Sequence, residues 1–301
     1  MSLPKWNGRR PAGRIAYVDG RYVAHGAAGV HIEDRGLQLG DAVYEVCGIA
    51  GGRLMDEEEH LDRLERSLGE IEIAMPMPRP ALKLVMRELV RRNAVRDGLL
   101  YLQVSRGVAR RDHPIPKDSP RPSLILTARA IPAGEFEARR QIGVKVITRP
   151  DERWGRVDIK TVQLLPNLLA KTAARRAGAY EAWLVDDDGV VTEGSSTTAW
   201  IVDAEGNLRT RSLSNAILPG VTRRVILEAA AAAQLQVKEA SFTPREAFAA
   251  REAFISSATG VMPVTAIDGT PIGDGKPGPL TRRVQELYAL TSSERAGKSG
   301  A

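Results

Sequence analysis

The chain has 301 residues, 43% hydrophobic and 27% charged, the make-up of a globular protein of about two domains. A largely disordered chain, a collagen-like fibre and a disulfide scaffold are excluded. Its 43 Lys and Arg exceed 37 Asp and Glu by a formal +6, yet the basic pairs are short and mixed with acids, unlike the stripes of a nucleic-acid binder. Cys47 is the only cysteine, so an intrachain disulfide and a Cys-based zinc site are excluded. The histidines His25, His31, His60 and His113 show no close ligand pair, so no metal is expected. No run of 18 apolar residues occurs, and no apolar stretch follows the basic Met1–Arg10; no membrane span and a cytosolic location are the expectation.

Taken in order, Ile15–Ala24 predicts a hairpin turning at Asp19-Gly20. Leu61, Leu64, Leu68 and Ile71 repeat at helical spacing within 59–71. A second helix is predicted over 79–96, closed by Asp97-Gly98. Strands are expected at 99–106 and 123–130, with a polar loop over 108–122 between them. Ile131–Arg140 has loop composition and separates two β-rich blocks. This predicts a small N-terminal domain (1–131), a linker (132–138), a larger domain (139–291) and a loose tail (292–301). In the larger block a strand (143–148) and an Ala/Leu-rich helix (164–177) precede three hairpin-like units, turning at Asp188-Gly189, Glu205-Gly206-Asn207 and Asp268-Gly269. A strong helix (221–235) lies between the second and third units, and a last helix covers 280–290. The pattern is α+β, without regular βα alternation.

Gly273-Asp-Gly-Lys-Pro-Gly278 is no phosphate loop, because Pro277 follows Lys276 and the spacing of a Walker motif is missing. No nucleophile elbow occurs either. Three other segments carry more. Lys160 lies between apolar residues in Asp158-Ile-Lys-Thr-Val-Gln-Leu-Leu-Pro-Asn167; there a neutral amine suited to a Schiff base is favoured, although the segment also reads as bearing a surface lysine. Glu193, after an apolar strand and before Gly-Ser-Ser-Thr-Thr, suits a buried cationic ring nitrogen or, equally, a surface turn. Pro219-Gly220 precedes a helix whose free N–H groups and the Thr222 hydroxyl suit a phosphate or a plain cap. Schiff-base lysine, acid and phosphate cradle are together what pyridoxal phosphate requires.

The order of these segments resembles the fold-type IV pyridoxal-phosphate enzymes, the class of D-amino-acid and branched-chain aminotransferases. The similarity runs from about Tyr17 to Tyr288 and includes Asp34-Arg-Gly-Leu-Gln-Leu-Gly-Asp-Ala-Val-Tyr-Glu-Val46, Glu59-His-Leu-Asp-Arg-Leu64, Asp158-Ile-Lys160, Thr192-Glu-Gly-Ser-Ser196, Phe254-Ile-Ser-Ser257 and Gly273–Pro279. It implies a two-domain α+β enzyme with a small N-terminal α/β domain and a β-barrel-like C-terminal domain. It also implies a set of roles. Lys160 would hold the cofactor and shuttle the Cα proton, Glu193 would pair with the pyridinium, and Arg63 would grip the phosphate. Val221, Thr222 and Ser257 would complete the phosphate site, and Leu218 would pack on the ring. Thr198 stands where the family usually has Asn.

Arg111 and His113 match the Arg-x-His pair that, in bacterial D-amino-acid aminotransferases, reaches into the partner's site and holds the substrate carboxylate. A guanidinium suits that group, and their alternate spacing sends both side chains the same way from an extended loop. Tyr44 matches a tyrosine of the same pocket. The resemblance therefore implies a homodimeric D-amino-acid transaminase passing amino groups from D-alanine-like donors to 2-oxoglutarate or pyruvate in a ping-pong cycle. The alternatives on the same scaffold are an (R)-selective amine transaminase, a branched-chain aminotransferase and aminodeoxychorismate lyase.

Overall fold

The computed structural model describes residues 13–132 and 134–298. The basic Met1–Arg10 segment and the end of the C-terminal tail lie outside the described residues.

In the first half, β1 (Ile15–Val18) and β2 (Arg21–Ala24) form the expected hairpin. Asp19 and Gly20 take φ of 43° and 94°, the positive pair that a tight two-residue turn needs. Then come α1 (Arg35–Leu39), β3 (Ala42–Ala50), β4 (Arg53–Leu54), α2 (Glu57–Glu70), α3 (Arg79–Arg92), β5 (Gly98–Ser105) and β6 (Ser123–Ala130). They build one antiparallel sheet in the order β2-β1-β6-β5-β3-β4. Alternation sorts its two faces. Val43, Cys47, Leu100, Leu102, Leu124 and Leu126 pack with Leu61, Leu64, Leu82 and Leu89 of α2 and α3. Tyr44, Val46, Leu99, Tyr101, Thr127 and Arg129 take the opposite, less buried face.

The helix expected to reach residue 96 stops at Arg92. The Asn93 amide donates to the carbonyls of Leu89 (2.9 Å) and Ile15 (3.0 Å), so a side chain that competes with the helical ladder is held by β1. A second difference lies in the presumed linker, where α4 (Glu135–Ile142) replaces the expected loop. Acids fill its first turn and arginines its last, as the helix dipole favours.

The second half runs β7 (Val144–Pro150), α5 (Leu165–Arg176), β8 (Glu181–Val185), β9 (Val191–Gly194), β10 (Thr198–Val202), β11 (Leu208–Thr210), α6 (Val221–Ala232), β12 (Val237–Glu239), α7 (Pro244–Phe248), β13 (Glu252–Ser257), β14 (Gly260–Ile267), β15 (Thr270–Pro271) and α8 (Pro279–Lys298). Its sheet has the order β12-β11-β10-β13-β14-β7-β8-β9, with β15 on β14. β9 ends one edge while β10 is third from the other, so five strand spacings, about 24 Å when flat, separate them. The chain crosses from Gly194 to Thr198, at most about 15 Å, with Gly194 N–H donating to Thr197 O at 2.7 Å. The sheet must therefore curl back on itself. Trp200 stacks on Phe254 at 5.3 Å within this half.

The rejected Gly273–Gly278 loop leads into α8, whose Leu280 and Thr281 N–H groups donate to the Glu252 carboxylate at 3.0 and 2.7 Å. The loose tail expected from Ser292 is instead helical through Lys298. The Ser292 hydroxyl donates to the buried Asp56 carboxylate (3.1 and 3.2 Å), a long-range partner that composition does not reveal.

Candidate active site

A cavity of about 480 Å³ is lined from both halves of the chain, a size suited to a small molecule. Lys160 reaches it from the segment between β7 and α5. That segment is clipped along the free flank of β3, where Tyr44 N–H donates to Lys160 O (3.0 Å) and Val162 N–H to Ala42 O (3.2 Å). The result sets the Lys160 Nζ 4.2 Å from the centre of the Tyr44 ring, a cation held on a π face.

Glu193 enters from β9 and is buried. It accepts from the Arg153 guanidinium and, at 3.2 Å, from Leu218 N–H. Burial pushes its carboxyl above the ordinary range despite the Arg153 charge and those hydrogen bonds. A further N–H cation beside it would favour its carboxylate form. Arg153 is itself held by Asp151 at 2.7 and 2.8 Å.

Arg63 comes from α2 and is forked onto Glu45 of β3, with Nε and Nη2 both 2.8 Å from the carboxylate oxygens. Its Nη1 donates to Pro219 O at 3.1 Å. His60 Nδ1 lies 2.7 Å from the same carboxylate. Burial alone would raise Glu45, but Arg63 and His60 outweigh it and hold the acid far below the usual range. Next to Pro219, α6 begins at Gly220, which offers no side-chain cap, so its first N–H groups keep their positive dipole end free for an anion. A Cβ on Gly220 would stand 3.0 Å from Thr198 Oγ1, so glycine permits this approach of helix to strand. Thr222 Oγ1 donates to Ser257 O (2.8 Å), and the Ser257 and Thr259 hydroxyls are 2.9 Å apart. Thr197 Oγ1 is buried at the cavity without a hydrogen-bond partner among the described residues.

Of the residues picked out from the sequence, Tyr44, Arg63, Lys160, Glu193, Leu218, Val221, Thr222 and Ser257 share this one cavity. Arg111 and His113 do not line it; both are exposed on the loop between β5 and β6. The Arg35 guanidinium holds that loop by donating to the carbonyls of Asp112 (2.7 Å) and His113 (3.4 Å). Sequence reasoning missed Arg153, Glu45 and His60 as partners of the site. His60 and Arg63, three apart on a helix, share a face, and Glu45 is an acid in an apolar strand. Those two signals were readable; Arg153 has none.

A family model described as Amino-transferase class IV matches residues 42–267. The chain belongs to the class IV aminotransferases. This aminotransferase is 42% identical over 268 residues to D-alanine aminotransferase of Bacillus licheniformis, covering 89% of this chain and 93% of that one. It is 39% identical over 283 residues to D-alanine aminotransferase of Listeria monocytogenes serotype 1/2a, with 93% and 97% covered. Among solved structures, the branched-chain aminotransferase of Thermoproteus uzoniensis with norvaline superposes with a TM-score of 0.79 at 27% identity, covering 92% and 93%. The Escherichia coli branched-chain enzyme gives 0.85 at 23% identity over 94% and 96%; this last likeness speaks for the fold. The mixed α/β architecture with its curled sheet is that of the fold-type IV aminotransferases.

Class IV aminotransferases use pyridoxal 5′-phosphate, and the residues here fit it. An amine, a buried acid, an uncapped helix start and a hydroxyl unpartnered among the described residues line one cavity.

Proposed function

We propose that this aminotransferase moves the amino group of D-alanine-like D-amino acids to 2-oxo acids, 2-oxoglutarate or pyruvate, in a ping-pong cycle. The observation that carries the reading is the shared cavity of Lys160, Glu193 and the α6 start in a chain whose D-alanine aminotransferase relatives match nearly end to end.

Bound pyridoxal phosphate supplies an electron sink for negative charge at the substrate Cα. Lys160 Nζ would hold the cofactor and would carry the proton to and from the substrate Cα. Glu193, buried in the cavity, would keep a proton on the ring nitrogen. Arg63, the Val221 and Thr222 N–H groups and Ser257 would hold the phosphate, with Glu45 and His60 fixing the arginine. Leu218 would pack on the ring. Tyr44 borders the carboxylate subsite. Arg111 and His113 complete that subsite in a second copy, because in their own chain they stand outside the cavity.

The homodimer this requires has a candidate face. Leu165, Leu168 and Leu169 of α5 are all exposed. Such a patch marks an interface. No helix of the described residues is long and apolar enough to cross a membrane, and a cytosolic location completes the proposal.

A panel of D-amino acids, L-amino acids and carboxylate-free (R)-amines, each with pyruvate and with 2-oxoglutarate, tests the reaction. Transfer from D-alanine is expected; transfer from L-leucine alone would sink it. Mixing Lys160→Ala and Arg111→Ala chains tests the sharing, since about one site in four of a randomly paired dimer regains both groups. No recovered activity would contradict a shared site.

A further inference from the structure

Four arginines line the cavity: Arg63, Arg129, Arg153 and Arg223. Three are committed. Arg63 is forked onto Glu45, Arg153 onto Asp151, and Arg223 donates to Glu239 at 2.6 Å and to Arg211 O at 3.0 Å. The Arg129 guanidinium alone has neither ion pair nor hydrogen bond among the described residues. A cation left free at the edge of a substrate cavity is available to a ligand.

Its place follows from strand register. Val46 pairs with Tyr101 and Tyr101 with Thr127; one step further, Gly48 pairs with Leu99 and Leu99 with Arg129. Tyr44, Val46, Leu99 and Arg129 therefore share the sheet face that forms one wall of the cavity. Tyr44 marks the reacting end, since Lys160 Nζ lies over its ring. Arg129 lies two strands across from β3 and four residues further along than Tyr44, roughly 16 Å away at the backbone. Arg129 lines the cavity from the far end of the wall. Between the two ends the wall is apolar, with Val46 and Leu99, and Phe136 closes in from α4.

We infer that Arg129 binds the distal carboxylate of five-carbon dicarboxylic substrates, 2-oxoglutarate and the amino acid formed from it, while their reacting end lies at Lys160. Three-carbon substrates have no group to reach it. Arg129 is thus a specificity residue that separates dicarboxylic from monocarboxylic partners. The inference rests on the amino-transfer reading for the identity of these substrates.

The test uses the cofactor-loaded Arg129→Met and Arg129→Lys variants. Loss of a charge-assisted hydrogen bond is worth roughly 10- to 100-fold. In Arg129→Met, KM for 2-oxoglutarate is expected to rise by that factor while KM and kcat with pyruvate stay within about twofold, and Arg129→Lys is expected to recover part of the loss. Calorimetric titration with unreactive glutarate reads the same contact without turnover and should weaken by a similar factor. Equal shifts for pyruvate and 2-oxoglutarate, or unchanged glutarate affinity, would overturn the inference. A wild-type protein that binds glutarate through Arg129 yet transfers no amino group would instead count against the reaction.

Discussion

At the scale of single residues, the site depends on charges that compensate one another out of water. The Arg63–Glu45–His60 group is the clearest case, since its members are buried and tied by bonds of 2.7–2.8 Å. Removing one partner of such a group costs far more than the pair contributes. Glu45→Gln is therefore expected to weaken cofactor binding at least about tenfold, because Arg63 loses the fork that sets its plane. Titration of cofactor-free protein with pyridoxal phosphate, followed by absorbance, reads this directly; unchanged affinity would show that Glu45 does not position Arg63. Glu193→Gln is expected to cost the loaded enzyme about 100-fold or more in turnover. Lys160 and Glu193 were legible in the sequence because each sits in a motif whose wording is local. Arg153 was not: its partner Glu193 is 40 residues away, and no period or spacing connects the two.

At the scale of elements, the loop that carries Arg111 and His113 is pinched at its neck. Gly107 has φ of +99°, and a Cβ there would stand 2.1 Å from Arg121 O. Only glycine tolerates both the dihedral and the approach. Gly107→Ala should displace the loop and raise KM for the D-amino donor, with the visible absorbance of the bound cofactor unchanged; an unaltered KM would separate this loop from substrate binding. The end of α8 makes a second prediction. Burial pushes the Asp56 carboxyl up, against the hydrogen bond from Ser292, so Ser292→Ala should destabilise the protein by about 1–3 kcal/mol in denaturant unfolding. No loss would mean the helix end is only lightly docked. Strands β1, β2 and β6 and helices α2, α5 and α6 were readable from period and turn chemistry. The end of α8 and the stop of α3 were not, because Ser292 and Asn93 answer to partners 236 and 78 residues distant. Helix α4 was masked by the Pro and Gly residues just before it.

At the scale of the whole molecule, several carboxylates tie the halves and loops to arginines. Burial would raise Asp41, yet hydrogen bonds from Arg106 and Arg35 hold it below its ordinary value, and Asp151 is held down likewise by Arg153. Groups with depressed folded pKa values stabilise the fold above their unfolded values and lose that contribution as pH falls through the folded ones. Stability should therefore decline as pH drops below about 4, a trend that denaturant midpoints across the acid range can check. The exposed Leu165, Leu168 and Leu169 make the assembly testable too: Leu168→Asp is expected to shift the sedimenting species to monomer and remove transfer. The proposed function assigns transamination of D-amino acids to one cavity. Rapid mixing of the cofactor-loaded protein with D-alanine or with L-leucine, in the absence of any acceptor, isolates a single half-reaction there. Visible absorbance should be lost with D-alanine and kept with L-leucine; loss with L-leucine alone would contradict the assignment.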